Sequence, residues 1–405
     1  MPLSSKNERV LCKRSMKKDK FSTMSFDNIY YVGVDDKRID LFEGQYKVPE
    51  GMTYNSYVII DEKCAVLDGV DADFTEEWLK KVGDVLKDRS PDYLVVHHME
   101  PDHSAGIKEF TLRYPYTTIV SSSKAFMMMN NFFGSDFVKK HLVVTEGDVL
   151  NLGAHRLTFI NAPMIHWPEV IMSYEEKTKT LFTADAFGRF GASDAKSPWK
   201  DEARRYYIGI VGKYGKMVSN LLKKAAALDI SRICPLHGPI LDSDLNFYLD
   251  LYQKWATYTP EERGVTIAYA SVYGNTAKAA KLLKERLSEL GCQAVKIFDL
   301  SRCDKAEAIA SAFMTDSLVV ASSTYNGDVF PPMHEFLRGL TERGFKGRKV
   351  GIIENGSWAP AVKKTVLEML KDSEQIRYCE NEVKILSAMS DQNREEIEAL
   401  ARELS

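Results

Sequence analysis

Residues 94–104 read LVVHHMEPDHS, and three histidines and two carboxylates crowd into 97–103 directly behind the apolar run Leu94-Val95-Val96. A short apolar run of this kind reads as a buried strand, so the polar cluster sits where a strand gives way to a loop. The pattern is His98-x-Glu100-x-Asp102-His103. In an extended chain alternate side chains share a face, so residues 98, 100 and 102 project to one side. Pro101 disfavours the helical region for Glu100 and keeps it extended or turned. Imidazoles and carboxylates that converge in this way are metal ligands by type. His97 falls on the opposite face, as a packed group or one that supports the ligands.

Three further candidates follow, each at the end of an apolar strand: His166 in FINAPMIHWPE, Asp185 in TLFTADAFG and His237 in ICPLHGP. Together with His98, Glu100, Asp102 and His103 they make four imidazoles and three carboxylates, too many for one tetrahedral ion. A carboxylate has two oxygens, so Asp185 shared between two metals would employ the whole set. The set contains no cysteine, and oxygen-rich ligation with imidazole suits iron or manganese as well as zinc. The Met127-Met128-Met129 run is expected in the core.

Around this cluster the first half is rich in strands: IYYVGVDD from Ile29, YNSYVIID from Tyr54 and CAVLDGVD from Cys64, with a helix over FTEEWLKKVGDVLKD. Sheets packed on one another with helices outside are expected. The pattern changes near Tyr258, where ATYTPEERG reads as a linker. Beyond it VTIAYA, QAVKIFDL, SLVVASST, KVGIIEN and VKILSAM alternate with helices, and Leu283, Leu287 and Leu290 form one stripe of the first of these. Near-continuous apolar strands with helical crossovers imply an all-parallel, doubly wound sheet. The expected division is a basic tail at 1–24, a first domain at 25–257, a linker at 258–264 and a second domain at 265–405.

The second domain opens on a strand followed by Ser271-Val272-Tyr273-Gly274-Asn275-Thr276 and a helix. A hydroxyl-rich loop with a glycine at a helix N-terminus cradles phosphate. It matches neither the nucleoside-triphosphate nor the dinucleotide glycine pattern. A single terminal phosphate, as in FMN, fits it best. Two later loops leave the same sheet edge, Thr324-Tyr325-Asn326-Gly327 and Asn355-Gly356-Ser357-Trp358. Each sets an aromatic ring beside small polar groups, which suits a planar flavin.

Taken together, these motifs resemble the flavodiiron proteins from about Ser25 onward. The first half resembles their metallo-β-lactamase-like αββα sandwich, where Glu100 stands in place of the usual hydrolase histidine. The second half resembles a short-chain flavodoxin. The resemblance implies two irons per chain, one held by His98, Glu100 and His166, the other by Asp102, His103 and His237, with Asp185 bridging. It implies FMN, reduction of dioxygen to water and/or nitric oxide to nitrous oxide, and detoxification of these gases. It also implies an external donor (rubredoxin, flavin reductase or reduced deazaflavin) and a head-to-tail homodimer or a tetramer built from it. The segment around GASDAKSPWKD looks shortened relative to the family, and Gly327-Asp328 departs from its usual loop. The expected form is the two-domain core without a further rubredoxin or reductase extension. The rival reading is a dizinc metallo-hydrolase fused to a flavodoxin module.

Composition agrees with such a protein. Fifty-four Lys and Arg against 57 Asp and Glu give a net charge of −3, so no basic field for nucleic acid exists. The six cysteines never form C-x-x-C, which excludes a disulfide framework or zinc ribbon as the organising device. No apolar run approaches the roughly 18 residues of a membrane helix, and the first 20 residues lack the apolar core of a secretory signal. A cytoplasmic location is expected.

Overall fold

The computed structural model describes residues 24–134 and 137–405, so the basic segment expected as a tail lies outside the described residues apart from Met24. The first half is built on two sheets. One has seven strands in the order Ser25–Phe26, Ile29–Tyr31, Tyr57–Ile60, Cys64–Leu67, Tyr93–Val95, Thr118–Ser121, His141–Val143. The other has five, from Val149–Asn151 through Arg156–Asn161, Ile171–Glu175 and Thr180–Phe182 to Arg232–Cys234.

The two-residue period of a strand decides which layer each side chain enters. Tyr57, Ile59, Ala65, Leu67 and Val95 meet Phe159, Ile171, Phe182 and Cys234 in the core between the sheets. Their neighbours Val58, Val66, Leu94 and Val96 face the other way, onto Trp78, Leu79 and Val82 of the helix Thr75–Leu86 and onto Phe110. On the far side Ile160, Met172, Leu181 and Ile233 meet Val218, Leu221 and Leu222 of Gly215–Ala225. The result is four layers, helix–sheet–sheet–helix. Trp78 is fully buried, and its indole N–H donates to Ser56 Oγ at 2.9 Å, so burial of this large ring leaves no donor unpaired.

The methionine run divides between surface and core. Met129 is buried and Met128 half-buried, but Met127 is 64% exposed. Consecutive residues of the helix Ser123–Phe133 point about 100° apart, so three in a row cannot share a buried face.

The second half carries a parallel sheet in the order Val295–Asp299, Glu262–Ala270, Thr315–Tyr325, Lys349–Asn355, with Arg377–Tyr378 and Val383–Ile385 both pairing with the last of these. This is the 2-1-3-4-5 order of doubly wound flavodoxin-like sheets, which bind ligands beyond the strand C-termini. One face packs on Leu283 and Leu287 of Asn275–Glu289 and on Ile397 and Leu400 of Asp391–Leu404. Leu290, at the end of the first of these helices, is exposed rather than part of the buried stripe.

The opposite face joins a core that continues into the outer helices of the first half. Polar contacts pin this joint. Arg204 forms a bidentate pair with buried Glu261, with Nη2–Oε2 at 2.8 Å. Fully buried Arg348 donates to the carbonyls of Thr315, Tyr258 and Lys346 at 2.7, 2.7 and 2.9 Å. Such satisfaction is what permits a guanidinium in an interior.

Candidate metal centre and flavin pocket

Both sheets of the sandwich end at one place. The first contributes His98, Glu100, Asp102 and His103 beyond Tyr93–Val95; the second contributes His166, Asp185 and His237 from the loops after Arg156–Asn161, Thr180–Phe182 and Arg232–Cys234. Glu100 is extended (φ −60°, ψ 138°), as its following proline dictates. The alternation expected over 98–102 stops there. Pro101 starts the helical turn Pro101–Ser104, a position that suits its fixed φ and missing N–H, so Asp102 and His103 reach the centre from a helix and not from a strand.

Seven side chains close on this point in two sets, His98, Glu100, His166 and Asp185 in one, Asp102, His103 and His237 in the other. His166 Nε2 lies 3.0 Å from Glu100 Oε2 and 3.2 Å from Asp185 Oδ2, while His98 Nε2 is 3.2 Å and 3.5 Å from the same two oxygens. Across the centre His103 Nε2 and His237 Nε2 are 3.0 Å apart, and each is 3.3 Å from Asp102 Oδ2. Asp185 faces both sets. Its Oδ2 turns to His98 and His166, and its Oδ1 turns to His103 at 3.4 Å and His237 at 3.8 Å.

The electrostatics show what this cluster lacks. Burial would raise the Asp185 carboxyl, yet His98, His103 and His166 hold it well below the carboxylate range. Burial opposes charge on His98, but Asp185, Glu100 and Glu169 push it well above ordinary imidazole. His166 is lifted to about 9 by Asp185 and Glu100 against its burial. The three buried carboxylates thus demand positive charge. Both oxygens of Asp102, and Oδ1 of Asp185, are buried without a hydrogen-bond partner among the described residues. Buried anions without donors, facing imidazole nitrogens in two sets, fit two metal cations of intermediate softness.

Around the ligands lies a ring of groups invisible to motif reading. Glu169 accepts from His98 Nδ1 at 2.8 Å, and Thr53 O accepts from His237 Nδ1 at 2.7 Å. His97 does point away from the centre. It binds Asp68 Oδ2 at 2.5 Å and Ser173 Oγ at 2.8 Å, which ties the two sheets together next to His98. Phe42, Tyr54 and Tyr206 stand with ring centroids 5.3, 6.0 and 5.5 Å from that of His237, and Trp167 packs edge-on to His98. These aromatics wall the centre from water. Trp167 directly follows His166 in the chain, whereas Phe42, Tyr54 and Tyr206 belong to three other segments that no residue type or spacing singles out.

The second site is an open pocket of about 620 Å³ at the C-terminal edge of the parallel sheet. Val272, Tyr273, Asn275, Thr276, Thr324, Tyr325, Asn326, Gly327, Asn355, Gly356, Ser357 and Trp358 line it. Ser271 and Gly274 do not line it but shape its first loop: Gly274 N–H donates to Ser271 Oγ at 3.1 Å, and Gly274 has φ +90° at the helix N-cap. Asn326 and Gly327 both have positive φ (51° and 75°) between the paired residues Tyr325 and Asp328, the two-residue hairpin turn that Asn-Gly favours. Ser323, Ala359 and Ser387 also line the pocket. Ser387 follows the last strand and donates to Ser357 Oγ at 2.9 Å; its position after a strand of the same sheet was the available signal.

A family model described as ODP family beta lactamase matches residues 52–238, and a flavodoxin domain model matches residues 266–375. The chain is 31% identical over 359 residues to a nitric oxide reductase of Moorella thermoacetica, covering 85% of this chain and 88% of that one. It is 28% identical over 359 residues to an anaerobic nitric oxide reductase flavorubredoxin of Escherichia coli, covering 86% and 74%. Among solved structures, rubredoxin oxygen:oxidoreductase of Desulfovibrio gigas superposes with a TM-score of 0.87 at 26% identity, covering 94% and 97%.

Proposed function

The chain belongs to the flavodiiron proteins, and we propose that it reduces dioxygen to water and/or nitric oxide to nitrous oxide with electrons passed from an external donor through FMN to a diiron site. One observation carries this reading: Asp185 turns one oxygen to each of two ligand sets. In this reading His98, Glu100 and His166 hold one iron, Asp102, His103 and His237 hold the other, and Asp185 bridges. The three loops Ser271 to Thr276, Thr324 to Gly327 and Asn355 to Trp358 hold the flavin. When bound, the two irons and FMN together store the four electrons that turn dioxygen into two waters, or the two that turn two nitric oxides into nitrous oxide and water.

The chain's own residues do the rest. Glu169 and the Thr53 carbonyl fix the Nδ1 protons of His98 and His237, which leaves each Nε2 free toward the centre. Phe42, Tyr54, Tyr206 and Trp167 exclude bulk water. Tyr273 and Trp358 are 94% and 91% exposed at the rim of the flavin pocket. Large exposed aromatics beside a binding pocket support a covering partner, and a second copy laid head to tail would cover them. Rubredoxin, a flavin reductase or reduced deazaflavin would supply electrons. Among the described residues no helix is long and apolar enough to cross a membrane, which agrees with action in the cytoplasm. The two domains would divide at 258–264.

The test is metal and flavin analysis of the purified protein, followed by consumption of each gas with NADH, rubredoxin and its reductase. Two irons and one FMN per chain with consumption of either gas are expected. Two zincs, with thioester hydrolysis that survives removal of FMN, would replace this reading with the hydrolase one.

A further inference from the structure

Glu169 is 2% exposed and carries no role in the ligand set above. One of its oxygens does two things. Oε1 accepts from His98 Nδ1 at 2.8 Å and from the Met99 N–H at 2.9 Å. Its backbone carbonyl accepts from Ser122 Oγ at 2.8 Å, and Ser122 is the N-cap of Ser123–Phe133. The other oxygen, Oε2, is buried without a partner among the described residues.

These bonds cross between the sheets. Glu169 belongs to the loop that carries His166, between Arg156–Asn161 and Ile171–Glu175 of the second sheet. His98, Met99 and Ser122 follow neighbouring strands of the first sheet, Tyr93–Val95 and Thr118–Ser121. A single residue therefore sets the ring orientation of His98 and ties the loop bearing His166 to the same strand ends. Both histidines belong to one set and meet the same oxygen, Glu100 Oε2, at 3.2 and 3.0 Å. Among the described residues the other set has no such carboxylate: His237 leans on a backbone carbonyl, and His103 Nδ1 has no partner.

We infer that Glu169 is a positioning residue that selectively tightens the metal position formed by His98, Glu100 and His166, and so makes the two positions unequal. A carboxylate on the far nitrogen of a ligating imidazole locks its tautomer and raises its basicity. A backbone carbonyl does the first but supplies less negative charge. This inference rests on the diiron reading and deepens it.

The test uses full-length protein loaded with iron and FMN, in wild-type form and as Glu169→Gln and Glu169→Leu. Gln keeps the shape and an acceptor but removes the charge; Leu removes both. Iron release to a chelator is followed by metal content, and the ferrous pair by Mössbauer spectroscopy. Expected is a loss of affinity for one iron of about 10-fold to 100-fold, larger for Leu than for Gln, with one of the two Mössbauer components changed and FMN content unaltered. Wild-type release of both irons from both variants would overturn the inference, as would parallel loss of both irons and flavin, which marks a residue that merely holds the fold. Failure of the diiron reading would look different, since the wild-type protein itself would bind no iron pair.

Discussion

The metal centre and the flavin pocket obey opposite rules. The first is closed, charged and assembled from two sheets; its seven imidazole and carboxylate side chains come from segments spread between His98 and His237, and Asp185 is 1% exposed. The second is open and nearly neutral, made by loops that leave one sheet edge, with Trp358 almost wholly in solvent. The difference teaches where each site draws its precision. Burial makes every unpaired charge at the metal centre costly, so its geometry must be held by many bonds at once. The flavin pocket relies on strand C-termini that the parallel sheet already brings side by side, and small polar groups suffice.

Substitution of Asp185 should separate the two most sharply. Asp185→Ala removes the group that turns one oxygen to each of the two sets, so iron content should fall below one per chain and gas consumption by more than about 100-fold, beyond what supporting groups of metal ligands cost. FMN content, read from absorbance after denaturation, should stay at the wild-type level. Loss of flavin along with iron would show that the two sites are not independent.

The converse damage belongs to the flavin half. Leu287 is fully buried against the parallel sheet, and Leu287→Ala should cost about 2–5 kcal/mol in denaturant unfolding of that half. Iron content under native conditions should be unaffected. If the shared core at the joint makes the chain unfold as one unit, a single transition will shift for both spectroscopic probes.

Within the pocket itself the effect should be smaller. Trp358→Ala removes one exposed ring, and the loss of a stacking contact is worth about 0.5–1.5 kcal/mol, or roughly 2-fold to 12-fold in FMN affinity by fluorescence titration. An unchanged affinity would mean the ring serves a partner and not the flavin.

A further effect lies apart from both sites, at buried His155 and Glu175. Burial would raise the Glu175 carboxyl, but bonds from His155, Thr178 and Lys177 bring it down to about 2 from 4.5. A depressed folded pKa gives stability that is present above the unfolded value and lost as pH falls through the folded one. Thermal unfolding should therefore show a loss between pH 4.5 and 2 that Glu175→Gln flattens. An identical pH profile in the variant would show that this pair contributes nothing.

Much of both sites could be read from residue types because the chemistry restricts them. His98-x-Glu100-x-Asp102-His103 is an improbable string without a cation, and three polar loops leaving one parallel-sheet edge together suit a flavin where any one of them alone would read as a turn. Short apolar runs at Tyr57–Ile60 and Cys64–Leu67 announce strands, and the helical stripe announces Leu283 and Leu287. Expectation fails where one backbone geometry gives way to another, or where a helix buries only one of its faces. The period of two looks continuous through Asp102, but Pro101 opens a helical turn there. Met127 is apolar, but the helix Ser123–Phe133 buries only one of its faces and leaves this residue exposed.

By itself, then, the sequence determined which atoms are available: four imidazoles, three carboxylates, three polar loops, and the strand and helix periods that carry them. These are local properties, set by side-chain chemistry and by the chain geometry of a few consecutive residues. Only the tertiary structure decided that Asp185 faces both ligand sets, that Glu169 reaches His98 and that Ser387 joins the flavin pocket. Each of these is a meeting of segments remote along the chain, and such meetings are fixed by how apolar faces pack, which no short window of residues contains.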